Sequence, residues 1–257
     1  MASKILTYEQ PLNERIRSFL RLEFLFDQAD YFLRGAASWS SHACLAGILE
    51  IQNLLARNDV KTEVLKELER HTSNLARLEQ NPGVDRQRLA EVLDELDSLI
   101  DRLYSNSQPL GQELKQNDFL NSVRQRLSIP GGTCDFDLPG LHHWLQSPNE
   151  QRIRDLGRWL AAYDVLHQAI TLMLHLVRES SSLRQEVAAD GFYQKSLDPN
   201  NACQMLRISI PAGCGYYPEV SGGKHRFSIR FMQQSSPDEK PVQVHQDVPF
   251  QLACCVI

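Results

Sequence analysis

Residues 123–145 read VRQRLSIPGGTCDFDLPGLHHWL, and this stretch changes its backbone preference twice within a few residues. It begins as the last turns of an amphipathic helix, which must end at Ile129 because a residue before proline is disfavoured in the α region. Gly131 and Gly132 then permit backbone angles that other residues adopt only at a cost. Alternation in residues 133–138 predicts a short strand, after which a proline starts another helix. The change from helix to strand and back predicts a junction between two layers of different type.

Composition and charge restrict the class of protein. The chain has 257 residues, of which 42% are hydrophobic, enough to bury the core of one large domain or two modest ones. Its net charge of -5 disfavours nucleic acid and anionic membranes as partners. The first residues, MASKILTYEQP, lack the apolar segment of a secretory signal. Six irregularly spaced cysteines are typical of reduced thiols, so we expect a cytoplasmic protein.

Helical periodicity extends through the larger part of the chain. Apolar residues recur at helical spacing in residues 10–190, apart from the predicted strand insertion at 133–138. Within this region, residues 59–104 carry two apolar seams of about three heptads joined by a Pro-Gly turn, which predicts an antiparallel helical hairpin. Polar residues interrupt the most apolar run, residues 159–177, so this run predicts a buried helix pair and not a membrane span. We therefore expect residues 10–190 to form an α-helical domain.

Beyond Gly191 the period of the apolar residues changes from about 3.6 to 2, as in β-strands. The clearest case is residues 224–231, where large apolar residues alternate with serine and basic residues. A sheet built from residues 191–257 alone is small, so we expect an N-terminal strand at residues 4–9 and the piece near residue 134 to complete it. The predicted fold class is α+β: an N-terminal α-helical domain with a long helical hairpin, packed on a small antiparallel β domain.

Motifs for common chemistries are absent from the sequence. The glycines before Lys224 do not form a phosphate-binding loop, because Pro218 stands where the loop needs its first glycine and His225 follows the lysine. His42 and Cys44 have no second pair at zinc-finger spacing. We therefore expect no catalytic residues, no metal site and no cofactor.

Two alternatives rest on particular residues. Asp135 and Asp137 share one face of the predicted strand and could form the acid/base pair of a small-molecule hydrolase. Lys224, Arg226 and Arg230 form a basic strand face that a nucleic-acid-binding protein could use, although the acidic balance of the chain counts against that function.

Basic residues stand out in this acidic chain. Arg17 and Arg21 are neighbours on one face of the first helix because they are spaced i,i+4. Arg124 and Arg126 lie at a helix end and face different directions, so we expect only one of them to join a shared surface. Guanidinium groups beside exposed aromatic rings suit the binding of an acidic, partly apolar peptide. The alternative is that each arginine is an isolated surface charge.

Four segments of the chain match motifs of one family. They are PLNERIRSFLRLEFL (residues 11–25), VRQRLSIPGG followed by CDFDLPGLHHWL, GFYQ (191–194) and GGKHRFSIRFM (222–232). On these segments the chain resembles the ZapD family, the FtsZ-associated cell division factor of Gram-negative bacteria. The likeness runs from about Leu6 to the Cys254-Cys255 pair. In the family pattern a basic residue often precedes the VRQRL helix end, whereas this chain has Gln116-Asn117-Asp118. This departure weakens the expectation of a contact from that turn.

The resemblance implies a cytoplasmic, non-enzymatic homodimer that acts at midcell. Such a protein binds the C-terminal peptide of FtsZ and bundles FtsZ filaments, which stabilises the Z ring, and it needs no cofactor, nucleic acid or membrane. The predicted peptide-binding residues are those that match basic positions of the family surface, together with the arginine at the helix end before the glycines: Arg17, Arg21, His142, Arg57, Arg226, Arg230 and Arg124.

Overall fold

Helices occupy most of the chain up to Glu179, and strands follow them, apart from one N-terminal strand. The computed structural model describes residues 4–57, 59–105, 108–198, 202–223 and 225–256, and of Arg57 only the backbone. In chain order the elements are β1 (Ile5–Pro11), α1 (Glu14–Leu33), α2 (Ser38–Arg57), α3 (Val60–Ala76), a 3-10 turn (Arg77–Gln80), α4 (Arg86–Ser105), α5 (Gln112–Lys115), α6 (Asp118–Leu127), α7 (Pro139–Leu145), α8 (Asn149–Ala161), α9 (Asp164–Glu179), β2 (Arg184–Ala188), β3 (Phe192–Ser196), β4 (Met205–Pro211), β5 (Tyr216–Gly222), β6 (Arg226–Gln233), β7 (Val242–Gln243) and β8 (Val248–Cys255). The predicted α+β class is confirmed.

The chain divides into two units. The first, called the helical unit below, is Phe19–Met173. The second, called the β unit, combines Met1–Ser18 with Leu174–Ile257. The second unit contains the strands, in one sheet of order β1-β4-β8-β2 and another of order β3-β6-β5, with β7 also pairing with β6. The pairings are antiparallel. The prediction that an N-terminal strand completes the sheet is confirmed, because β1 pairs with β4 along its whole length.

The apolar faces of the strands form the core of the β unit. On β6, Phe227 and Phe231 are almost fully buried, whereas Arg226 and Arg230 are exposed on the opposite face. The Phe231 ring lies 5.1 Å from the ring of Phe250 on β8, measured between centroids. Because side chains alternate along a strand, the sequence pattern that builds this core also displays the two arginines to solvent.

The predicted strand at residues 133–138 is wrong. The segment is a series of turns, in which the Cys134 N–H donates to the Gly131 carbonyl oxygen (3.1 Å) and the Leu138 N–H donates to the Cys134 carbonyl oxygen (3.0 Å). The polar side chains serve these turns: the Asp135 carboxylate accepts a hydrogen bond from the next backbone N–H (2.9 Å). Alternation produces a strand only where a neighbouring strand pairs with its backbone groups, and local hydrogen bonds satisfy several of those groups in this segment.

Strand β2 begins at Arg184, several residues before the change of period that the sequence shows at Gly191. The helical region accordingly ends at Glu179. Only Ala188 of β2 is buried, so the strand carries no apolar alternation that periodicity could detect. Pairing with β8, in which Arg184 lies opposite Leu252, makes it a strand.

The predicted helical hairpin is confirmed. Helices α3 and α4 pack against each other and are joined by a 3-10 turn and a short connection. Their buried residues recur at steps of three, four and seven: Val60, Val64, Leu68, His71 and Leu75 on α3, and Leu89, Leu96, Leu99 and Leu103 on α4.

Aromatic contacts and one buried arginine position the remaining helices. The ring centroids of Phe119, Trp144 and Trp159, on α6, α7 and α8, lie 5.6–5.8 Å apart. The buried Arg152 of α8 donates a hydrogen bond to Ser41 Oγ of α2 (3.0 Å). These contacts hold the short helices on either side of the 128–138 turns.

Asp59 caps α3 and provides a test of hairpin stability. Its carboxylate accepts hydrogen bonds from the Thr62 hydroxyl (2.6 Å) and the Thr62 N–H (3.3 Å), and these bonds lower the pKa of Asp59. We expect Asp59→Ala to reduce the free energy of unfolding by about 1 kcal/mol at neutral pH, the usual effect of losing a cap. Because folding lowers this pKa, the contribution is present above the unfolded pKa and is lost as pH falls through the folded value. Urea unfolding at neutral and acidic pH measures both effects.

Asp94→Ala is the matched control for this prediction. Asp94 is exposed in the middle of α4, where alanine is a better helix former than aspartate. We expect this control to be at least as stable as the parent. An Asp59→Ala variant as stable as the control at neutral pH would show that the cap does not stabilise α3.

No single helix among the described residues is long and apolar enough to cross a membrane. Helices α8 and α9 meet the requirement only when taken together, and a bend of 64° separates them. The sequence prediction of a helix pair within residues 159–177 is confirmed.

Candidate functional site

The outer face of the sheet formed by β3, β6 and β5 carries a groove with two arginines. Arg226 and Arg230 lie four residues apart on β6 and point to the same side, so their Cα atoms are separated by about 13 Å. The volume of this groove, called the β6 groove below, is about 580 Å³. Sites for small ligands and short side chains generally occupy about 300–1,000 Å³. The groove is therefore large enough for several residues of a peptide.

The register of the strands places other lining residues and one acidic neighbour. Phe192 on β3, which lines the groove, lies opposite Arg230. Glu219 on β5 lies opposite Arg230 on its other side, outside the groove lining. Gln194 on β3 and Ser221 on β5 lie opposite Ser228, the serine between the two arginines. The groove thus combines an aromatic ring, small polar groups that can donate or accept hydrogen bonds, and two positive charges.

Both arginines of the β6 groove are exposed and available to a ligand. Neither Arg226 nor Arg230 forms an ion pair or a side-chain hydrogen bond with another residue that the structure describes. A guanidinium group binds a carboxylate through two parallel hydrogen bonds. Phe192 keeps 37% of its surface exposed beside Arg230 and can contact an apolar side chain. The groove therefore suits an extended ligand that carries carboxylates and an apolar group.

Helix α1 presents basic and aromatic residues on one face. Arg17, Arg21, Phe24 and Tyr31 follow one another at intervals of four, three and seven residues, so they share one side of the helix. The exposed fractions of Phe24 and Tyr31 are 65% and 74%. Arg17 forms an exposed ion pair with Glu14 (3.3 Å), whereas Arg21 pairs with no other described residue. This surface, called the α1 face below, is a second basic and aromatic surface.

Two further predicted residues, His142 and Arg124, lie on α7 and α6 of the helical unit. His142 is exposed on α7. Arg124, half-buried on α6, lies near Tyr163, whose pKa is raised by burial and lowered in part by the charge of this arginine. Arg126 instead forms an ion pair with Asp137 (3.5 Å). The two arginines at the end of α6 therefore have different environments.

The predicted residues fall in both units of the chain. Arg226 and Arg230 share the β6 groove, and Arg17 and Arg21 share the α1 face. Arg124 and His142 lie on successive helices of the helical unit. The Arg57 side chain lies outside the described residues, and so does Lys224 of the alternative nucleic-acid face.

Of the residues that line the β6 groove, reasoning from the sequence alone predicted the two arginines and missed the others. Phe192, Gln194 and Ser221 line it because β3 and β5 pair with β6 on either side. The motif GFYQ was visible, but its residues gain a place beside the arginines only through strand pairing. The exposed Phe24 of the first helix was likewise absent from the predicted site residues.

The aspartates of the hydrolase alternative take part in local structure. Asp135 accepts a hydrogen bond from the N–H of Phe136 (2.9 Å). Asp137 pairs with Arg126 through one oxygen, and its other oxygen lies 3.5 Å from the Cys134 sulfur. The shared strand face on which that alternative depended is not formed, because the segment consists of turns. Within the described part of the chain, no group of three or more His, Cys, Asp or Glu residues could hold a metal ion.

Comparison with known proteins identifies relatives along the whole chain. The profile of a family described as ZapD, cell division protein, matches residues 20–230. The cell division protein ZapD of Methylococcus capsulatus is 44% identical over 252 residues, which cover 98% of each chain. The protein of the same name from Coxiella burnetii is 37% identical over 258 residues and 100% of each chain. That from Janthinobacterium sp. is 38% identical over 251 residues, or 98% of this chain and 99% of the relative.

Proposed function

The chain belongs to the ZapD family of cell division proteins, and we propose that it binds the C-terminal peptide of FtsZ and cross-links FtsZ filaments. In this proposal the protein is a cytoplasmic, non-enzymatic homodimer that stabilises the Z ring at midcell. It acts without nucleic acid, membrane or cofactor. The bundling activity is what its family resemblance implies.

The observation that carries the proposal is the β6 groove. The groove holds two arginines about 13 Å apart, neither of them paired with another residue that the structure describes, and an exposed phenylalanine beside one of them. These features suit an acidic peptide with apolar side chains. Glu219 lies opposite Arg230 on β5, beside the groove, and its negative charge disfavours a carboxylate on that side. We therefore expect the acidic groups of the peptide to lie toward β3, where Phe192 and Gln194 line the groove.

The α1 face supports the same proposal from a different element. Arg21 is exposed and unpaired among the described residues, and Phe24 is exposed beside it on the same side of the helix. The ion pair of Arg17 with Glu14 is exposed and therefore weak, so a competing carboxylate can replace it at small cost. We propose that Arg17, Arg21 and the exposed His142 add contacts to FtsZ. Arg57 is kept in the proposed set on the resemblance, and Arg124 on its place at the helix end before the glycines.

Cross-linking follows from two binding sites on one dimer. A monovalent protein would only decorate a filament, whereas a dimer can hold the C-terminal peptides of two filaments. Once one peptide is bound, the second binding step is intramolecular and has a high effective concentration. Individually weak sites can then produce strong bundling. Added salt should weaken the bundling, because salt screens exposed ionic contacts; the screening length is about 8 Å at physiological ionic strength.

A sedimentation experiment tests the proposed partner. The full-length protein is mixed with FtsZ filaments, or with filaments of FtsZ that lacks its C-terminal peptide, and the pellet is analysed. We expect bundling and co-sedimentation with the first and at least about a tenfold weaker apparent affinity with the second, equivalent to about 1.4 kcal/mol. Equal co-sedimentation with both forms would remove the peptide from the proposal.

Two further measurements separate the parts of the proposal. Raising the salt concentration should reduce bundling if the contacts are ionic. Analytical ultracentrifugation of the protein alone tests the dimer. A monomer that nevertheless bundles filaments would contradict cross-linking by self-association, even if the peptide proved to be bound.

A further inference from the structure

Cys203 and Cys254 are neighbouring thiols at one end of the β unit. Cys254 lies near the end of β8, and Cys203 precedes β4, the strand that pairs with β8. The pairing continues beyond β4, because the Gln204 N–H donates to the Cys255 carbonyl oxygen (2.7 Å). The Cys203 thiol donates a hydrogen bond to the Met205 carbonyl oxygen (3.4 Å). Cys203 and Cys254 both pack against the core of the β unit, close enough for each to affect the acidity of the other. Both are free thiols, so the structure shows a reduced pair of neighbouring thiols.

A polar groove opens beside Cys254. Its volume is about 360 Å³, and its lining includes Ser181, Arg184, Glu186 and Lys195 as well as Cys254. Arg184 and Lys195 are exposed, and Lys195 lies 3.5 Å from the Glu186 carboxylate. Two positive groups and one negative group therefore surround a partly exposed sulfur. A small anionic molecule that reaches this groove can contact the sulfur directly.

The two thiols have opposite acid–base properties. The interaction with the neighbouring Cys203 thiol, together with the charges of Lys195 and Arg184, lowers the pKa of Cys254 to about 7, although burial and Glu186 act in the other direction. The same interaction and burial raise the pKa of Cys203. Near neutral pH one sulfur is thus substantially a thiolate while its neighbour keeps its proton. This is the arrangement of a nucleophilic cysteine beside a resolving cysteine.

Cys44 and Cys255 differ from Cys254 in the direction of their pKa shift. Burial raises the pKa of Cys44 to about 12 and that of Cys255 to about 11. Both side chains are almost completely inaccessible. Such thiols react slowly, because the thiolate is the reactive form and a reagent must reach it. Reactivity is therefore expected at Cys254 and not at its neighbour in sequence.

We propose that Cys254 and Cys203 form a site of reversible thiol–disulfide exchange, which takes a low-molecular-weight disulfide of the glutathione type in the groove beside Arg184 and Lys195. In the first step the Cys254 thiolate attacks one sulfur of the disulfide, forms a mixed disulfide and releases one thiolate. In the second step the deprotonated sulfur of Cys203 attacks the Cys254 sulfur and releases the second thiol, which takes up the proton. The two cysteines are oxidised to a disulfide, and the small disulfide is reduced to two thiols.

Peptide mapping by mass spectrometry tests the proposal. The full-length protein is incubated with oxidised glutathione at neutral pH, and remaining thiols are then alkylated. We expect a Cys203–Cys254 disulfide in the parent, a glutathione adduct retained on Cys254 in Cys203→Ser, and neither product in Cys254→Ser. Cys134→Ser, which removes a partly exposed thiol from the helical unit, is the matched control and should behave as the parent. Modification spread evenly over the six cysteines, or absent from Cys254, would overturn the proposal.

The pH dependence of alkylation provides a second readout that a purely structural pair would not show. We expect Cys254 to be alkylated with a midpoint near pH 7 and, at that pH, about threefold faster than an ordinary exposed cysteine, since its larger thiolate fraction outweighs its lower nucleophilicity. In Cys203→Ala, which removes the largest contribution to the lowered pKa of Cys254, the midpoint should rise. A Cys254 that titrates like an ordinary cysteine in the parent would overturn the proposal. Circular dichroism checks that each variant remains folded.

Discussion

Replacing Arg226 and Arg230 together by alanine is expected to weaken the binding of the FtsZ C-terminal peptide by about 30-fold or more. Hydrogen bonds to charged groups contribute about 1.5–3 kcal/mol each, and exposure to solvent reduces that contribution. A combined loss of about 2 kcal/mol corresponds to about 30-fold in the dissociation constant. Both side chains are exposed on the outer face of β6, so their removal should leave the core of the β unit intact. Fluorescence anisotropy with a labelled peptide measures the effect.

Two controls make this prediction specific. Arg154→Ala removes an exposed arginine of the same type from α8, in the helical unit, and should leave the peptide affinity unchanged. Replacing Arg226 and Arg230 together by lysine keeps the charge but loses the two-pronged geometry, so it should restore only part of the affinity. Parent affinity in the double alanine variant would exclude the β6 groove as the binding site. The sedimentation experiment would still decide independently whether the peptide is the partner.

Gly191→Ala is expected to destabilise the β unit by more than about 3 kcal/mol, or to prevent its folding. Gly191 has a φ of 70°, and its carbonyl oxygen accepts a hydrogen bond from the Phe231 N–H (2.8 Å). An added Cβ would lie 2.0 Å from the Val244 carbonyl oxygen, far inside any real contact. The cost therefore combines left-handed strain, about 1–2 kcal/mol, with displacement of a backbone segment. Phe192 follows directly, so a surviving variant should also bind the peptide less tightly.

Gly213→Ala separates these two contributions. Gly213 has a φ of 81°, but a Cβ there would meet no atom within 4 Å. We expect it to lose only the left-handed contribution, about 1–2 kcal/mol. Urea unfolding of both variants measures the difference. Equal destabilisation of Gly191→Ala and Gly213→Ala would show that the Val244 segment moves aside without cost.

Sequence periodicity predicted those parts of the fold in which local pattern and burial agree. The seams of residues 59–104 became the hairpin of α3 and α4, because residues spaced by three and four share one side of a helix. The alternation around Phe227 likewise predicted both the buried and the exposed face of β6. In each case one helix or strand was enough to define its own apolar face.

Alternation with a period of two predicted a strand at residues 133–138 that does not form, and the lack of alternation in residues 184–188 left β2 unpredicted. Residues 133–138 alternate, but no strand that the structure describes pairs with them, so turns satisfy several of their backbone groups. Residues 184–188 do not alternate but lie beside β8, which supplies their hydrogen-bond partners. Whether an extended segment becomes a strand therefore depends on a partner that can be distant in sequence.

The amino-acid sequence alone was sufficient to predict the α+β class and the hairpin, to show the family motifs, and to predict the alternation that exposes Arg226 and Arg230. The tertiary structure was needed to show that Phe192 lines the β6 groove, that residues 133–138 form turns and that Cys203 lies near Cys254. The physical reason is that side-chain direction within one helix or strand follows from local geometry. Which segments become neighbours is decided by long-range pairing and by packing of the whole core, and no spacing along the chain records that choice.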